Sequence, residues 1–135
     1  MKTVLRLAVA LEVGSGLILI AAPSTFARLI FGSELPSPGP GVGRLAGFAL
    51  LALCAACWPA RESSSLDSAA RGMLLFNVLA VVYLVYRGIR GGATGPLLWP
   101  AAVLHAAFTL AIARAWRRER RPLRSVPAVP PAATS

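Results

Sequence analysis

The sequence predicts an all-α integral membrane protein built as a four-helix up-down bundle, and three observations support this prediction. Of the 135 residues, 56% are hydrophobic, and the mean hydropathy is +0.67, whereas soluble domains are about 45–50% apolar. The apolar residues form four long blocks that lack the polar face of a soluble helix. Each block also approaches the ~20 residues that a helix needs to cross the hydrocarbon core of a bilayer.

The four predicted spans cover about residues 4–22, 44–60, 72–89 and 97–115. Pro23 ends the first span, because proline cannot continue a helix interior. Ser24 is then expected to cap a short amphipathic turn through Phe26, Leu29 and Ile30. The segment from residue 32 to 43 is rich in proline and glycine, and it is predicted to be a linker without helix.

The remaining elements follow from polar segments between the apolar blocks. The second span is expected to end near Trp58, and Asp67 or Ser68 to cap the third helix after a polar loop. Pro100 falls in the first turn of the fourth span, where its missing N–H costs little. One domain therefore covers residues 1–116. Residues 117–135 are basic and then rich in proline and alanine, and are predicted to form a disordered tail.

The distribution of Lys and Arg predicts that both termini lie in the cytoplasm, because cytoplasmic loops carry the excess of these residues. With four spans and both termini inside, ten basic residues lie on the inner side, namely Lys2, Arg6, Arg61, Arg71, Arg114, Arg117, Arg118, Arg120, Arg121 and Arg124. Four lie on the outer side, namely Arg28, Arg44, Arg87 and Arg90. An alternative interpretation, in which the first block is a cleaved leader, is disfavoured by the charge of Glu12 within that block.

The composition also argues against other classes of protein. The net charge is +9, but six of the 14 basic residues lie between Arg114 and Arg124, next to the last span. Such charges orient a span and contact anionic lipid, and we predict no nucleic-acid partner. Cys54 and Cys57 form a C-x-x-C sequence far from a helix N-terminus, which indicates two small buried residues rather than a redox pair. We predict neither a metal site nor a cofactor.

Polar residues inside the spans indicate a site in the inner half of the bundle. An ionisable residue within a span is costly and usually faces the bundle interior. At the helical rise of ~1.5 Å per residue, Glu12 and His105 both lie about 13 Å from the inner surface. Asn77 and Cys54 lie about 8–9 Å deep by the same count. One polar or soft side chain from each span is therefore expected at a similar depth.

The candidate site residues follow from this coincidence of depth. We predict that a ligand would be bound by the polar side chains near this depth, which are Glu12, Ser15, Cys54, Asn77, His105 and Thr109. In an enzyme, Glu12 and His105 would be the catalytic acid and base. A purely structural interpretation also stays open, in which Glu12 and His105 bond each other and Asn77 joins helices.

Two segments resemble the DoxX-like group of small bacterial four-helix membrane proteins. These are V-L-R-L-A-x-A-L at residues 4–11 and R-L-A-G-F-A-L-L-A-L at residues 44–53. The resemblance covers roughly residues 3–115 and implies a multi-pass protein of the bacterial inner membrane. That group includes accessory proteins of quinone-linked or disulfide-linked redox systems. This chain departs from the common pattern by carrying its intramembrane acid on the first span, so no functional residue is transferred.

Three hypotheses for function remain at this point. The first is a membrane module that binds a lipophilic, quinone-like molecule or a partner subunit in the inner half of the bundle. The second is a membrane-embedded isomerase or cyclase that uses Glu12 and His105 on a lipophilic substrate. The third is a structural subunit or a small proton-coupled transporter that works as a homo-oligomer. All three have membrane lipid as a partner.

Overall fold

The computed structural model describes residues 1–58, 63–90 and 94–120, apart from the side chains of residues 63–65. In these ranges every regular element is an α-helix. The helices are α1 (Lys2–Ala21), α2 (Pro23–Phe31), α3 (Gly39–Ala56), α4 (Ser63–Arg90) and α5 (Leu98–Glu119). Four of them, all except α2, are long and apolar enough to cross a membrane. The predicted all-helical membrane class is therefore supported, and the predicted tail from residue 121 onward lies outside the described residues.

Helices α1 and α3 pack as an antiparallel pair whose backbones cross closely at two glycines. The Cys54 thiol lies near the backbone oxygen of Val9, at 3.8 Å. At the other end of the pair, a Cβ built on Gly47 would lie 2.8 Å from the backbone oxygen of Gly16 and 2.8 Å from the side chain of Ile20. Small residues are required at such a crossing because any side chain would separate the helices.

Helices α4 and α5 form the second antiparallel pair. Near the start of α4, Asp67 accepts a hydrogen bond from the indole of Trp116, which lies near the end of α5. Near the end of α4, a Cβ built on Gly88 would lie 2.8 Å from the ring of Trp99, which lies near the start of α5. The start of α4 thus lies beside the end of α5, and the end of α4 lies beside the start of α5.

Helix α2 closes one end of the bundle, which we call the α2 end. Its carbonyl groups accept backbone hydrogen bonds from the segment before α5, from Gly95 to Ile30 at 3.0 Å and from Leu97 to Leu29 at 2.9 Å. Gly32 ends α2 in the left-handed conformation, with φ of 74°, which glycine adopts without steric cost. These bonds attach the first half of the chain to the second half across the bundle.

The opposite end, which we call the terminal end, carries both described chain ends and a group of charged residues. The amino group of Met1 lies 3.1 Å from the carboxylate of Glu119. Asp67 binds Trp116 and also forms ion pairs with Arg71 and Arg120. The guanidinium of Arg120 lies 4.3 Å from the centre of the Trp116 ring. Partly exposed ion pairs each contribute little, but this group joins α4 to α5.

Two apolar cores lie at the two ends, and most other apolar side chains face outward. The core at the terminal end contains Leu5, Ala8, Val9, Leu50, Cys54, Cys57, Ala69, Ala70, Met73 and Ile112. The core at the α2 end contains Ile30, Leu84, Leu98 and Ala102. Along the most apolar stretch of each long helix, only 17% to 28% of the residues are buried. So much outward-facing apolar surface suits contact with lipid.

The structure differs in four details from what the sequence predicts. Helix α3 begins at Gly39, inside the segment predicted to be non-helical, because Pro40 falls in the first turn, where proline is tolerated. Ser24 makes no capping hydrogen bond, since α2 begins at Pro23 with Ala22 as its N-cap. Asp67 lies inside α4 rather than at its start, because the helix already begins at Ser63. Helix α5 also extends to Glu119, beyond the predicted boundary at residue 116.

We expect Gly47→Ala to destabilise the protein by about 1–3 kcal/mol, because the new methyl group would overpack the crossing of α1 and α3. Thermal unfolding in mild detergent measures the change. The matched control is Gly14→Ala, since a Cβ at Gly14 meets no atom within 4 Å. Equal melting temperatures for the two variants would show that the crossing is not closely packed.

Candidate functional site

Three polar side chains from three helices meet between the two apolar cores, and we call them the polar layer. They are Glu12 of α1, Asn77 of α4 and His105 of α5. Glu12 is 2% exposed and Asn77 is fully buried, while the His105 side chain is 14% exposed. Polar groups at this depth are costly unless they are paired. The sequence predicts a similar depth for these three residues and Cys54, and the structure brings the three together without Cys54.

Asn77 holds His105 through a chain of hydrogen bonds that begins at the α4 backbone. The Asn77 amide nitrogen donates to the backbone oxygen of Met73 at 2.8 Å. The Asn77 side-chain oxygen then lies 2.9 Å from Nδ1 of His105. Phe76 packs edge to face against the imidazole, with ring centres 6.0 Å apart. The histidine ring is therefore fixed in both position and rotation.

Glu12 lies beside this chain without joining it. Its Oε1 atom is 3.4 Å from Nδ1 of His105, which is within ion-pair distance. The same oxygen nevertheless has no hydrogen-bond partner among the described residues. The two observations agree once direction is considered, because Nδ1 is directed at the closer Asn77 oxygen. A buried acceptor without a partner costs about 1–3 kcal/mol, so Glu12 is a group that a ligand can satisfy.

A largely apolar cavity of about 510 Å³ extends from the polar layer to the α2 end. His105 and Ser15 lie at its polar end, and α2 contributes Phe26, Ile30 and Phe31 to its wall. Ligand sites are commonly about 300–1,000 Å³, with apolar walls and a few polar groups. The volume and lining of this cavity both fall within that description.

A second cavity, of about 390 Å³, lies beside the first, next to α3, and is lined by Glu12. Helix α3 forms part of its wall through Ala46 and Ala49. The two cavities share four lining residues, which are Ser15, Phe26, Phe76 and His105. The imidazole of His105 is therefore part of the boundary between the two spaces.

The other predicted ligand-binding residues occupy different positions. Ser15 lines both cavities and donates its hydroxyl to the backbone oxygen of Leu11 at 3.2 Å. Thr109 donates to the backbone oxygen of His105 at 2.9 Å and lines neither cavity. The Cys54 thiol lies 3.8 Å from the Val9 oxygen and faces a third cavity, of about 450 Å³. Thr109 and Cys54 thus belong to the supporting helices and not to the polar end of the large cavity.

The structure also adds site residues that the sequence analysis did not identify. Phe76 and Phe26 line both main cavities, and Tyr83 and Leu104 line the larger one. The sequence did indicate that Phe26 lies on an amphipathic turn, but nothing distinguishes Phe76 from an aromatic residue that faces lipid. Only the packing of α4 against α5 turns Phe76 toward the histidine.

The chemistry available to the polar layer is hydrogen bonding and proton transfer. A carboxyl group and an imidazole 3.4 Å apart can each exchange a proton with a bound molecule. Within residues 1–58, 63–90 and 94–120, no group of three or more His, Cys, Asp or Glu side chains is placed to hold a metal ion. Cys54 and Cys57 are both buried, free thiols.

Comparison with known proteins does not bear on this site. No family model matches the chain, and neither the curated proteins nor the solved structures contain a match. The resemblance to the DoxX-like group therefore stays a prediction.

We expect Asn77→Leu to destabilise the protein by about 1–3 kcal/mol, because His105 Nδ1 would lose its buried partner. Thr109→Val is the control, with an expected change within about 0.5 kcal/mol, since its hydroxyl bonds only to its own helix. Thermal unfolding in detergent compares the two. A neutral Asn77→Leu variant would mean that the histidine is not held through this residue.

Proposed function

We propose that the chain is a multi-pass protein of the bacterial inner membrane, an up-down bundle with both termini in the cytoplasm. The antiparallel pairing of α1 with α3 and of α4 with α5 supports the up-down arrangement. The excess of basic residues that the sequence predicts for the inner side, ten against four, supports the orientation. The α2 end then faces the outer leaflet.

We further propose that the protein binds a lipophilic small molecule in the 510 Å³ cavity, with its polar group beside Ser15 and His105, which also line the smaller cavity where Glu12 lies. The observation that carries this proposal is the buried Glu12 oxygen without a partner, which lies beside a histidine at the polar end of an apolar space. A structural carboxyl would be expected to bond a neighbouring helix, because an unpaired buried group destabilises the fold. A ligand with a polar group offsets that cost.

The shape of the cavity indicates an amphiphile. Its polar head would lie at Ser15 and His105, and its apolar body would extend toward Phe31 of α2. The proposed ligand would thus extend further from the terminal end than the inner-half site that the sequence predicts. A molecule with one polar end, such as a quinone-like compound, fits this distribution of polarity.

An enzyme that acts on such a molecule is the second candidate, and the contact between Glu12 and His105 favours it. A carboxyl group and an imidazole next to a substrate cavity form the pair that an isomerisation or cyclisation requires. In this case the cavity would contain both substrate and product. A structural subunit, a module that binds a partner subunit, or a small proton-coupled transporter would instead need no lipophilic molecule in the cavity.

We expect a cysteine introduced at Ser33 to react with an impermeant maleimide added to intact spheroplasts, because this exposed residue follows α2. Arg118→Cys, also exposed and at the terminal end, should react only after the membrane is permeabilised. The native cysteines are buried and give the background. The reverse labelling pattern would overturn the orientation.

We expect Ala80→Phe to displace the molecule that co-purifies in mild detergent, because Ala80 lines the large cavity. Ala107→Phe is the matched control, since Ala107 is exposed on α5 and lines neither main cavity. Mass spectrometry of the extracted protein measures retention, and the melting temperature verifies folding. If the wild type and Ala80→Phe retain equal amounts of the molecule, or if the wild type retains none, binding is contradicted. A pair of interconvertible isomers in the wild-type extract would favour the enzyme.

A further inference from the structure

We propose that the polar layer selects a ligand that donates a hydrogen bond, namely a hydroxyl group on a lipophilic body, and discriminates against ligands that only accept. This inference rests on the proposed binding function and specifies the ligand class. It follows from the direction of each hydrogen bond around His105, since these directions determine which atoms stay available.

The directions of the hydrogen bonds that link Met73, Asn77 and His105 are fixed by the Met73 backbone oxygen. The oxygen of Met73 can only accept, so the Asn77 atom that lies 2.8 Å from it is the amide nitrogen. The other side-chain atom of Asn77 is then the oxygen, which also only accepts. Nδ1 of His105 lies 2.9 Å from that oxygen and must therefore carry a proton.

A neutral imidazole carries one proton, so a proton on Nδ1 leaves Nε2 as an acceptor. Nδ1 is already used by Asn77, and His105 lines both main cavities. Any bond between neutral His105 and a ligand must then be accepted at Nε2. Asn77 thus acts as a positioning residue that sets the tautomer of the histidine.

The neighbouring polar groups present the same type of atom. The Ser15 hydroxyl donates to the Leu11 oxygen at 3.2 Å, which leaves its oxygen lone pairs toward the cavities. Glu12 Oε1 is buried and accepts from no described group. Ser15 and His105 therefore present acceptors at the polar end of the large cavity, and Glu12 adds an oxygen without a donor where it lines the second cavity.

A hydroxyl group supplies the missing donor, whereas an ether or a carbonyl places another acceptor against those of Ser15 and His105. Leaving polar groups unpaired in an apolar site costs more than the hydrogen bond itself contributes. For a quinone-like ligand, this arrangement favours the reduced form with hydroxyl groups over the oxidised form with carbonyl groups. The site would therefore distinguish two redox states of one molecule without a redox centre of its own.

The test compares para-octylphenol with its methyl ether, which keeps the apolar body and removes the donor. Both are titrated into the purified full chain in maltoside micelles, with binding followed by nitrogen-15 NMR of the histidine. His105 is the single histidine of the chain, so its ring signals need no assignment. We expect the free protein to show the neutral tautomer with a proton on Nδ1, and the phenol to bind about tenfold more tightly than the ether.

The outcomes separate this inference from the proposed function. If both probes bind with equal affinity, or if the ether binds more tightly, donor selection is wrong while binding stands. If neither probe binds, the binding function itself is contradicted. A proton on Nε2 in the free protein would overturn the inference independently of any ligand.

A variant links selection to Asn77. Asn77→Leu removes the acceptor that holds the proton on Nδ1, so the ratio of phenol to ether affinity should fall toward one. Ala107→Phe, on the same helix as His105 but exposed, should keep the wild-type ratio. An unchanged ratio in a folded Asn77→Leu variant would show that Asn77 does not set the selectivity. If the variant does not fold, the tautomer measured in the wild type decides the question.

Discussion

The hydrogen bond between Asn77 and His105 is the interaction on which the rest of the site depends. It joins α4 to α5 at a buried level, where a polar group that loses its partner is costly, and it fixes the orientation of the imidazole. The bond also uses the histidine nitrogen that lies closest to Glu12. Because Nδ1 is occupied, the carboxyl group is left next to a histidine that it does not bond. The availability of Glu12 is therefore a consequence of how two other helices pack.

Two apolar cores stabilise the bundle on either side of the polar layer, where Glu12 has no hydrogen-bond partner among the described residues. Each end of the bundle is held by packed side chains, and each end is also fastened by polar contacts. At the terminal end, Asp67 binds Trp116 and two arginines, while at the α2 end Leu29 and Ile30 accept backbone bonds. The middle of the bundle can then contain empty volume and an unpaired oxygen without losing the fold. The apolar cores and the proposed binding site are therefore located at different levels of the same four long helices.

Helix α2 adds an apolar wall to the large cavity between the helices. It crosses from the first helix pair to the second and covers the large cavity with apolar side chains. Without it, the groove between α1 and α5 would be open to the lipid at the α2 end. Its amphipathic character can be read from the residues, but its attachment depends on backbone bonds to residues 95–97, which are about 65 positions away. A sequence pattern contains no information about that pairing.

By itself, the sequence determined the class of the protein and the depth of its polar residues. Apolar length and charge distribution report the cost of transfer into lipid, which is a local property of each segment. The rise of a helix is also constant, so Glu12 and His105 could be placed at one level by counting. Only the tertiary structure decided which side chains touch, because helix rotation and crossing are set by contacts between distant segments. The sequence therefore could not predict the hydrogen bond from His105 to Asn77 or the position of Phe76 in the cavity wall. The start of α3 at Gly39 was not predictable for the same reason.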